Sequence, residues 1–368
     1  MRVVLTGGGT GGHIYPAVAV GRQLEREEPG TELLYIGTGR GLESRIVPEL
    51  GIPFEAVDIT GFRRKLSLEN VKTVVRFVRG VSRAKQLLRR FKPDAVVGTG
   101  GYVCGPVVYA AAKLGIPTLI HEQNVDPGLT NRFLSRYADV IAVSFRESLE
   151  RFGRHGRVLH TGNPCATNVL QADKTRGYAS VGVPADAPIV LIVGGSRGAR
   201  AINDAVVDMA GKLHSMPDIH FVFVTGDADY DRTDTRLRER GNIPPNLHVI
   251  RYLNNMPEVL AASSLVVSRS GASFLAEFTA LGIPTILIPS PNVTGNHQEP
   301  NARSLADEGA AVMMLERDLS GDALYREISA IIEDPGKLRR MGEAARTLSM
   351  PQSAEVIAAE LRKLAGKR

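Results

Sequence analysis

Two titratable side chains stand where this chain could do chemistry. His13 closes the run RVVLTGGGTGGH, residues 2 to 13, directly after a crowd of glycines, and an imidazole titrates near neutral pH. Glu277 lies in SRSGASFLAEFTALGIPTILIP, residues 268 to 289, an otherwise apolar stretch with helical spacing. Ser270, Ser273 and Glu277 recur at i, i+3 and i+7, a polar stripe among Ala272, Phe274, Leu275, Ala276, Phe278 and Leu281. A carboxylate on a mostly buried helix needs a cleft or a partner, because burying an unpaired charge is costly. A capping box does not account for it, since Ser273 as cap would require the acid at position 276, which is Ala276. The two adjacent hydroxyls of a ribose suit such a carboxylate; a glutamate on a solvated helix surface is the alternative.

The elements that must position these groups are two strand-to-helix turns rich in glycine, the first at residues 2 to 13 and the second in PIVLIVGGSRGA, residues 188 to 199. Each places a short apolar run before glycines and then a helical pattern, which turns backbone N–H groups and a helix N-terminus toward a phosphate. Strands and helices alternate throughout, as in parallel sheets built from βαβ units. Strands are expected near Val3 to Thr6, Leu33 to Ile36, Ala95 to Val97, Pro117 to Ile120 and Val140 to Val143. The second half repeats them near Ile189 to Val193, His220 to Val224, Leu247 to Ile250, Leu265 to Val267 and Thr285 to Ile288. Two or three amphipathic helices follow Ser320. The length of 368 residues suits two domains. The expectation is α/β class: two Rossmann-like parallel-sheet domains facing across a cleft, residues 1–163 and 164–368, with the last helix free to pack back on the first.

Several other chemistries are set aside. Gly7, Gly9 and Gly12 fit GxGxxG, but a dinucleotide site also wants an acid at the end of the second strand, where Thr38 and Gly39 stand. GGSRGA lacks the Gly-Lys-Ser/Thr ending of a P-loop. HEQN at 121 to 124 begins like a zinc motif, yet position 125 is valine. In GDADYDRTD, Arg232 and Arg238 stand where a calcium loop needs glycine and glutamate, so Asp227, Asp229, Asp231 and Asp234 read as a solvated loop capping a helix. Cys104 and Cys165 form no CxxC and read as small packing residues.

Hydrophobic residues make up 43% of the chain, in runs far shorter than the roughly 20 that span a bilayer, and no signal-peptide pattern opens it. A cytoplasmic location is expected. The net charge of +6 is unevenly placed: residues 61–93 hold eleven Lys and Arg against Glu69 alone, +10 in all, which leaves −4 for the rest. On a helix, Lys72, Arg76, Arg79, Arg83 and Arg90 fall within an arc of about 60°, while Val71, Val74, Val75, Val78 and Leu88 fall elsewhere. This is either a solvated basic face over an apolar side packed in the core, or a surface for something anionic. No nucleic-acid signature accompanies it. An anionic membrane suits it, with Phe62, Leu66 and Leu68 able to dip into the interface.

GGGTGGHIYPA, GTGGYVCGPV, HEQN, TGNP, GGSRGA, SRSGASFLAE and NHQEPNA, in that order along the whole chain, resemble the MurG family, the peripheral membrane N-acetylglucosaminyltransferases of bacterial peptidoglycan synthesis (glycosyltransferase family 28, GT-B fold). The resemblance implies transfer of N-acetylglucosamine from UDP-GlcNAc to the 4-hydroxyl of the muramoyl sugar of lipid I, with inversion, giving lipid II and UDP at the cytoplasmic face of the membrane. It implies that Ser196 and the turn Ala272, Ser273, Phe274, Leu275 and Ala276 hold the donor diphosphate, Glu277 the ribose and the backbone near Leu253 the uracil. Gln298, with Asn124, Thr10, Gly11 and Gly12, would hold the sugar. Gly8, Gly9, Gly101 and Tyr102 would meet the acceptor diphosphate. The family pattern usually has an arginine just after TGNP, where this chain has Cys165, so that donor contact is not carried over.

Inversion needs a base for the attacking hydroxyl and stabilisation of charge developing on UDP. His13 is the candidate base; positioning the loop or a phosphate is the alternative. Glycine-loop N–H groups and helix N-termini stabilise the leaving group, so neither a metal nor another cofactor is called for. Other readings are a different GT-B enzyme (a glycolipid glycosyltransferase or a UDP-GlcNAc 2-epimerase) and a non-catalytic sugar-nucleotide-binding scaffold for other cell-wall enzymes.

Overall fold

The computed structural model describes residues 1–61, 68–153, 157–195, 198–241 and 243–366, with backbone only for 68–72 and 294. The chain divides into unit 1, Met1–Thr167 with Met350–Arg368, and unit 2, Asn168–Ser349. In unit 1 the described strands are β1 (Arg2–Thr6), β2 (Glu32–Gly37), β3 (Phe54–Ala56), β4 (Ala95–Gly98), β5 (Thr118–Glu122), β6 (Val140–Val143) and β7 (Arg157–His160). They form one parallel sheet in the order β3-β2-β1-β4-β5-β6-β7. Unit 2 carries β8 (Ile189–Val193), β9 (His220–Val224), β10 (Leu247–Ile250), β11 (Leu265–Ser268), β12 (Thr285–Leu287) and β13 (Ala311–Met313), in the parallel order β10-β9-β8-β11-β12-β13. Both orders reverse beside the first strand, the doubly wound arrangement whose ligands bind at the carboxyl ends of the strands around the reversal.

Central strands are buried on both faces, which is why their apolar runs are continuous and legible in sequence. In the register Val3↔Leu33 and Val3↔Ala95, these side chains pack on one face with Ile14, Ala17 and Leu24. Val4, Leu34 and Val96 pack on the other with Leu87, Val107 and Val108. Sequence patterning misses β3, β7 and β13, each at a sheet edge. They are three or four residues long and only partly buried, so none carries a continuous apolar run.

The second crossing between units, near Met350, returns the last helix, Ser353–Ala365, to unit 1. Ile357, Ala358, Leu361 and Leu364 join the core against the helix Gly11–Glu27. Burying each of the larger three contributes about 1.5–3 kcal/mol, and Glu360 beside them pairs with Arg157 at 2.9 Å.

The basic helix, Leu68–Phe91, departs from its expected packing. Ala84, Leu87 and Leu88 are buried as an apolar side should be, but Val74, Val75 and Val78 are 49%, 46% and 62% exposed. The helix docks by its C-terminal half and by Phe77, whose ring meets Tyr109 and Phe133 at 6.0 and 5.9 Å. The basic arc is also partly neutralised. Arg83 and Arg90 pair with Glu55, the former at 3.2 Å, and Arg76 approaches Asp58 at 3.9 Å. Phe62 and Leu66 lie outside the described residues, as do the side chains of Leu68, Val71 and Lys72. No helix among the described residues is long and apolar enough to cross a membrane.

Candidate functional site

In unit 1 the turn after β1 and the turn after β4 leave neighbouring strands at the reversal and meet. The Gly8 N–H donates to the Gly100 carbonyl at 3.2 Å. Gly100 and Gly101 hold φ of +106° and +82°, and a Cβ at Gly101 would collide with the Gly8 carbonyl, so glycine is required there. Cys104 fastens the two turns from beneath: its sulfur accepts from the Gly100 N–H at 3.1 Å and lies 3.1 Å from the Thr6 carbonyl. Burial pushes this thiol up to about 12, which makes it a neutral clamp and not a nucleophile. Thr99 donates its hydroxyl to the His13 carbonyl at 2.6 Å, and buried Tyr35 donates to the Gly7 carbonyl at 2.8 Å.

His13 sits in the first turn of the helix Gly11–Glu27 with Nδ1 2.9 Å from the Gly8 carbonyl. A carbonyl only accepts, so Nδ1 carries the hydrogen and Nε2 is the bare nitrogen of the neutral ring. The Thr10 hydroxyl stands 3.4 Å from the same Nδ1. A Cβ on Gly100 would lie 3.1 Å from Nε2, so the second turn leaves the ring its space.

The structure changes the assignment of Gly8 and Gly9. Their N–H groups are spent inside the protein, Gly8 on Gly100 and Gly9 on the Glu43 carboxylate at 3.1 Å. Fully buried Glu43 also accepts from the Thr38 N–H and hydroxyl at 3.0 and 2.6 Å. This carboxylate enters beside the end of β2, but it faces its own glycine loop, which gives a physical reason why GxGxxG here makes no ribose site. The N–H groups left to face an anion are those opening the helix at Gly11 and Gly12, which have no helical acceptor. Those of Gly101 and Tyr102 likewise meet no acceptor among the described residues. Tyr102 is 55% exposed, its ring against Gly61.

HEQN ends β5. Buried Glu122 accepts from the Asn124 N–H at 3.0 Å, Asn124 Nδ2 at 3.2 Å, the Gly128 N–H at 3.0 Å and Asn131 Nδ2 at 2.8 Å. It is therefore the organiser of the loop that presents Asn124, which explains the motif without a metal. In the aspartate run, Asp229, Asp231 and Asp234 pair with Arg232, Arg251 and Arg238 at 3.2, 2.6 and 2.8 Å.

In unit 2 the turns after β8 and β11 again flank the reversal. Gly198 holds φ of +74° and donates to the Gly195 carbonyl at 2.9 Å; Ser196 lies outside the described residues. The helix after β11, Ala272–Leu281, starts after Gly271 with no acid in its first turn and no side-chain cap. The N–H groups of Ala272, Ser273 and Phe274 thus open toward the strand ends, with Leu275 the first to bond back, to the Gly271 carbonyl at 3.1 Å. Ser270 leaves the expected stripe: it precedes the helix, and its hydroxyl is spent on the Gln298 carbonyl at 2.7 Å. Ser273 Oγ is buried without a partner among the described residues.

Glu277 follows Ala276 one turn on, half-buried and facing no described cation or hydrogen-bond donor. Burial alone raises its pKa from 4.5 to about 8. Such an uncompensated carboxyl marks a functional position more often than a structural one. Gln298 opens the helix Gln298–Asp307, and its Oε1 accepts from the Ser290 N–H at 2.8 Å. Leu253 is buried in the turn after β10. Arg269, which sequence reading passed over, ties the β11 turn to the Ile288 carbonyl at 3.0 Å and to Glu316 at 2.5 Å. Glu43, Thr99 and Gln123 were missed likewise, because their partners are remote in sequence.

Family comparisons agree with these two half-sites. Residues 3–143 match the glycosyltransferase family 28 N-terminal domain and residues 189–357 match the glycosyltransferase family 28 C-terminal domain. The chain is 54% identical over 355 residues to the UDP-N-acetylglucosamine--N-acetylmuramyl-(pentapeptide) pyrophosphoryl-undecaprenol N-acetylglucosamine transferase of Halalkalibacterium halodurans, covering 96% of this chain and 97% of that relative. A Bacillus cereus protein of the same name, numbered 1, is 52% identical over 367 residues, covering 100% of both. Among solved structures, Acinetobacter baumannii MurG superposes with a TM-score of 0.77 at 29% identity, covering 98% of this chain and 99% of that one. The chain belongs to glycosyltransferase family 28.

Proposed function

We propose that this chain transfers N-acetylglucosamine from UDP-GlcNAc to the 4-hydroxyl of the muramoyl sugar of lipid I, giving lipid II and UDP, with inversion at the sugar carbon. The observation that carries this reading is identity above 50%, end to end, with relatives named for that transfer. In unit 2 the opening N–H groups of Ala272–Phe274 receive the donor diphosphate, Glu277 the ribose hydroxyls and the backbone beside Leu253 the uracil. Gln298, its Oε1 already committed, offers Nε2 to the sugar. In unit 1 the N–H groups of Gly11, Gly12, Gly101 and Tyr102 receive the acceptor diphosphate, and Asn124 lies on the neighbouring loop.

Transfer then follows from the His13 tautomer. Nε2 takes the proton of the acceptor 4-hydroxyl as its oxygen bonds to the anomeric carbon. The bond from that carbon to the phosphate oxygen breaks, and its electron pair leaves with UDP. Nδ1–H, held by the Gly8 carbonyl, stabilises the imidazolium that forms. The opening N–H groups of Ala272–Phe274 stabilise the charge on the departing diphosphate.

An anionic membrane surface is the proposed setting, at its cytoplasmic face. Exposed Val74, Val75 and Val78 beside exposed Arg79 support it, combining insertable apolar groups with a cation that has no described ion-pair partner. The test supplies labelled UDP-GlcNAc with lipid I in vesicles, with and without EDTA. Labelled lipid II with one UDP released per transfer is expected in both arms. UDP-GlcNAc binding without transfer would refute the reading.

A further inference from the structure

We infer that Gln123 is a positioning residue for the proton transfer, its buried amide oxygen set beside the His13 ring to receive Nε2–H once the imidazole is protonated. This rests on the reading of His13 as the base. Gln123 is almost fully buried at the end of β5. Its Nε2 donates to the Thr99 carbonyl at 2.6 Å and the His121 carbonyl at 3.1 Å, and lies 3.0 Å from His121 Nδ1. Two carbonyl acceptors leave no ambiguity about which end of the amide is nitrogen. Oε1 therefore points the other way, and it has no hydrogen-bond partner among the described residues. The point that a Cβ on Gly100 would occupy is 3.1 Å from His13 Nε2 and 3.5 Å from Gln123 Oε1. The two atoms thus border one gap, kept open because residue 100 is glycine.

A buried acceptor left unsatisfied is costly, and this one becomes satisfied when the neighbouring base is charged. Its dipole favours the imidazolium over the neutral ring, as the Gly8 carbonyl does from Nδ1. The orientation is enforced from further back. His121 Nε2 lies 2.9 Å from the Gly162 carbonyl, so it is the donor there, and its Nδ1 is left as an acceptor for Gln123. Burial lowers His121 to about 4, which keeps that pattern through the neutral range.

The other titratable groups around the ring are Tyr35 beneath Gly7, Glu43 against Gly9, Cys104 under Gly100, Tyr102 on the same turn and Tyr15 on the helix of His13 itself. Tyr35 and Cys104 are held neutral by burial. Glu277 titrates near 8 but belongs to the donor half, so saturating UDP-GlcNAc separates it from events at His13.

The test measures the His13 ring pKa by NMR in the full chain, and the pH profile of kcat at saturating UDP-GlcNAc and lipid I. Gln123→Met keeps the volume and removes the acceptor. The ring pKa and the acid limb of kcat are expected to fall together by about one pH unit, and the plateau by about tenfold. Gln123→Glu retains an acceptor oxygen and is expected to hold both values at or above those of the unaltered protein, a direction that loop damage would not produce. If Gln123→Met does not fold, Gln123→Glu alone carries the test, and a fall in its ring pKa overturns the inference. An unmoved pKa in Gln123→Met, or equal shifts in both variants, also overturns it while leaving His13 as the base. Near-normal kcat in His13→Ala removes the base itself, and Gln123's role with it.

Discussion

Replacing Glu277 by glutamine tests the donor half at the point where the structure makes a quantitative demand. Burial raises this carboxyl to about 8, so the site is mostly protonated at neutral pH before the donor arrives. The ionised fraction is about 1% at pH 6, about 10% at pH 7 and half at pH 8. Two ribose hydroxyls donate, so they select the ionised form, and the apparent dissociation constant scales inversely with that fraction. In the limit of complete selection, affinity for UDP-GlcNAc rises about fiftyfold from pH 6 to pH 8, then levels. UDP-GlcNAc has no group of its own titrating in that window, so the slope reports the protein. Calorimetric titration in two buffers of different ionisation enthalpy should show close to one proton released per donor bound at pH 6 to 7. Glu277→Gln should abolish both the slope and the proton release, with weaker binding at pH 8. Stability gives a second readout. A carboxyl whose pKa is raised in the folded state contributes stability below about 4.5 and loses it as pH rises through about 8. The unaltered protein should therefore weaken against Glu277→Gln over that interval. Donor affinity that is flat from pH 6 to 8, or a slope that survives in Glu277→Gln, would refute the ribose role.

His13→Ala should reduce kcat by at least a hundredfold with donor affinity within about twofold, by stopped turnover and equilibrium binding. Glu43→Gln leaves one of three donors (Gly9 N–H, Thr38 N–H, Thr38 hydroxyl) facing an NH2 group, which should cost about 1–3 kcal/mol. The Michaelis constant for lipid I should rise and that for UDP-GlcNAc stay fixed, while an unchanged melting temperature would contradict the burial of this carboxylate. Gly101→Ala should destabilise unit 1 by about 1–3 kcal/mol from its positive φ alone, before the collision with the Gly8 carbonyl is added. Chemical denaturation measures this. Val78→Asp should weaken sedimentation with anionic vesicles at low salt without altering transfer to a soluble acceptor analogue; undiminished binding would place the membrane contact elsewhere.

Residues near in sequence announced much of this protein. Central strands such as Val3 to Thr6 and Ile189 to Val193 are legible because burial on both faces demands an unbroken apolar run. The glycine turns are legible because positive φ and close approach admit little else. Glu277 stood out because a carboxylate in an apolar helix violates its surroundings. The edge strands were not legible, since half-exposed strands of three or four residues carry no distinctive period. Nor was the docking of the basic helix, because periodicity sorts Val74, Val75 and Val78 onto an apolar side without stating whether anything covers it.

The sequence by itself determined the doubled α/β architecture, its family and the short roster of groups able to do chemistry. The tertiary structure alone decided which of those groups are free to act. Gly8 and Gly9 lost their anion-binding part to Gly100 and Glu43, residues 92 and 34 positions away. The Gly8 carbonyl chose the His13 tautomer, and the basic arc was partly cancelled by Glu55 and Asp58. The reason is physical. Whether an N–H, a carboxylate or an imidazole nitrogen can meet a substrate depends on whether the fold has already given it a partner, and those partners come from strands brought together only when the sheet closes.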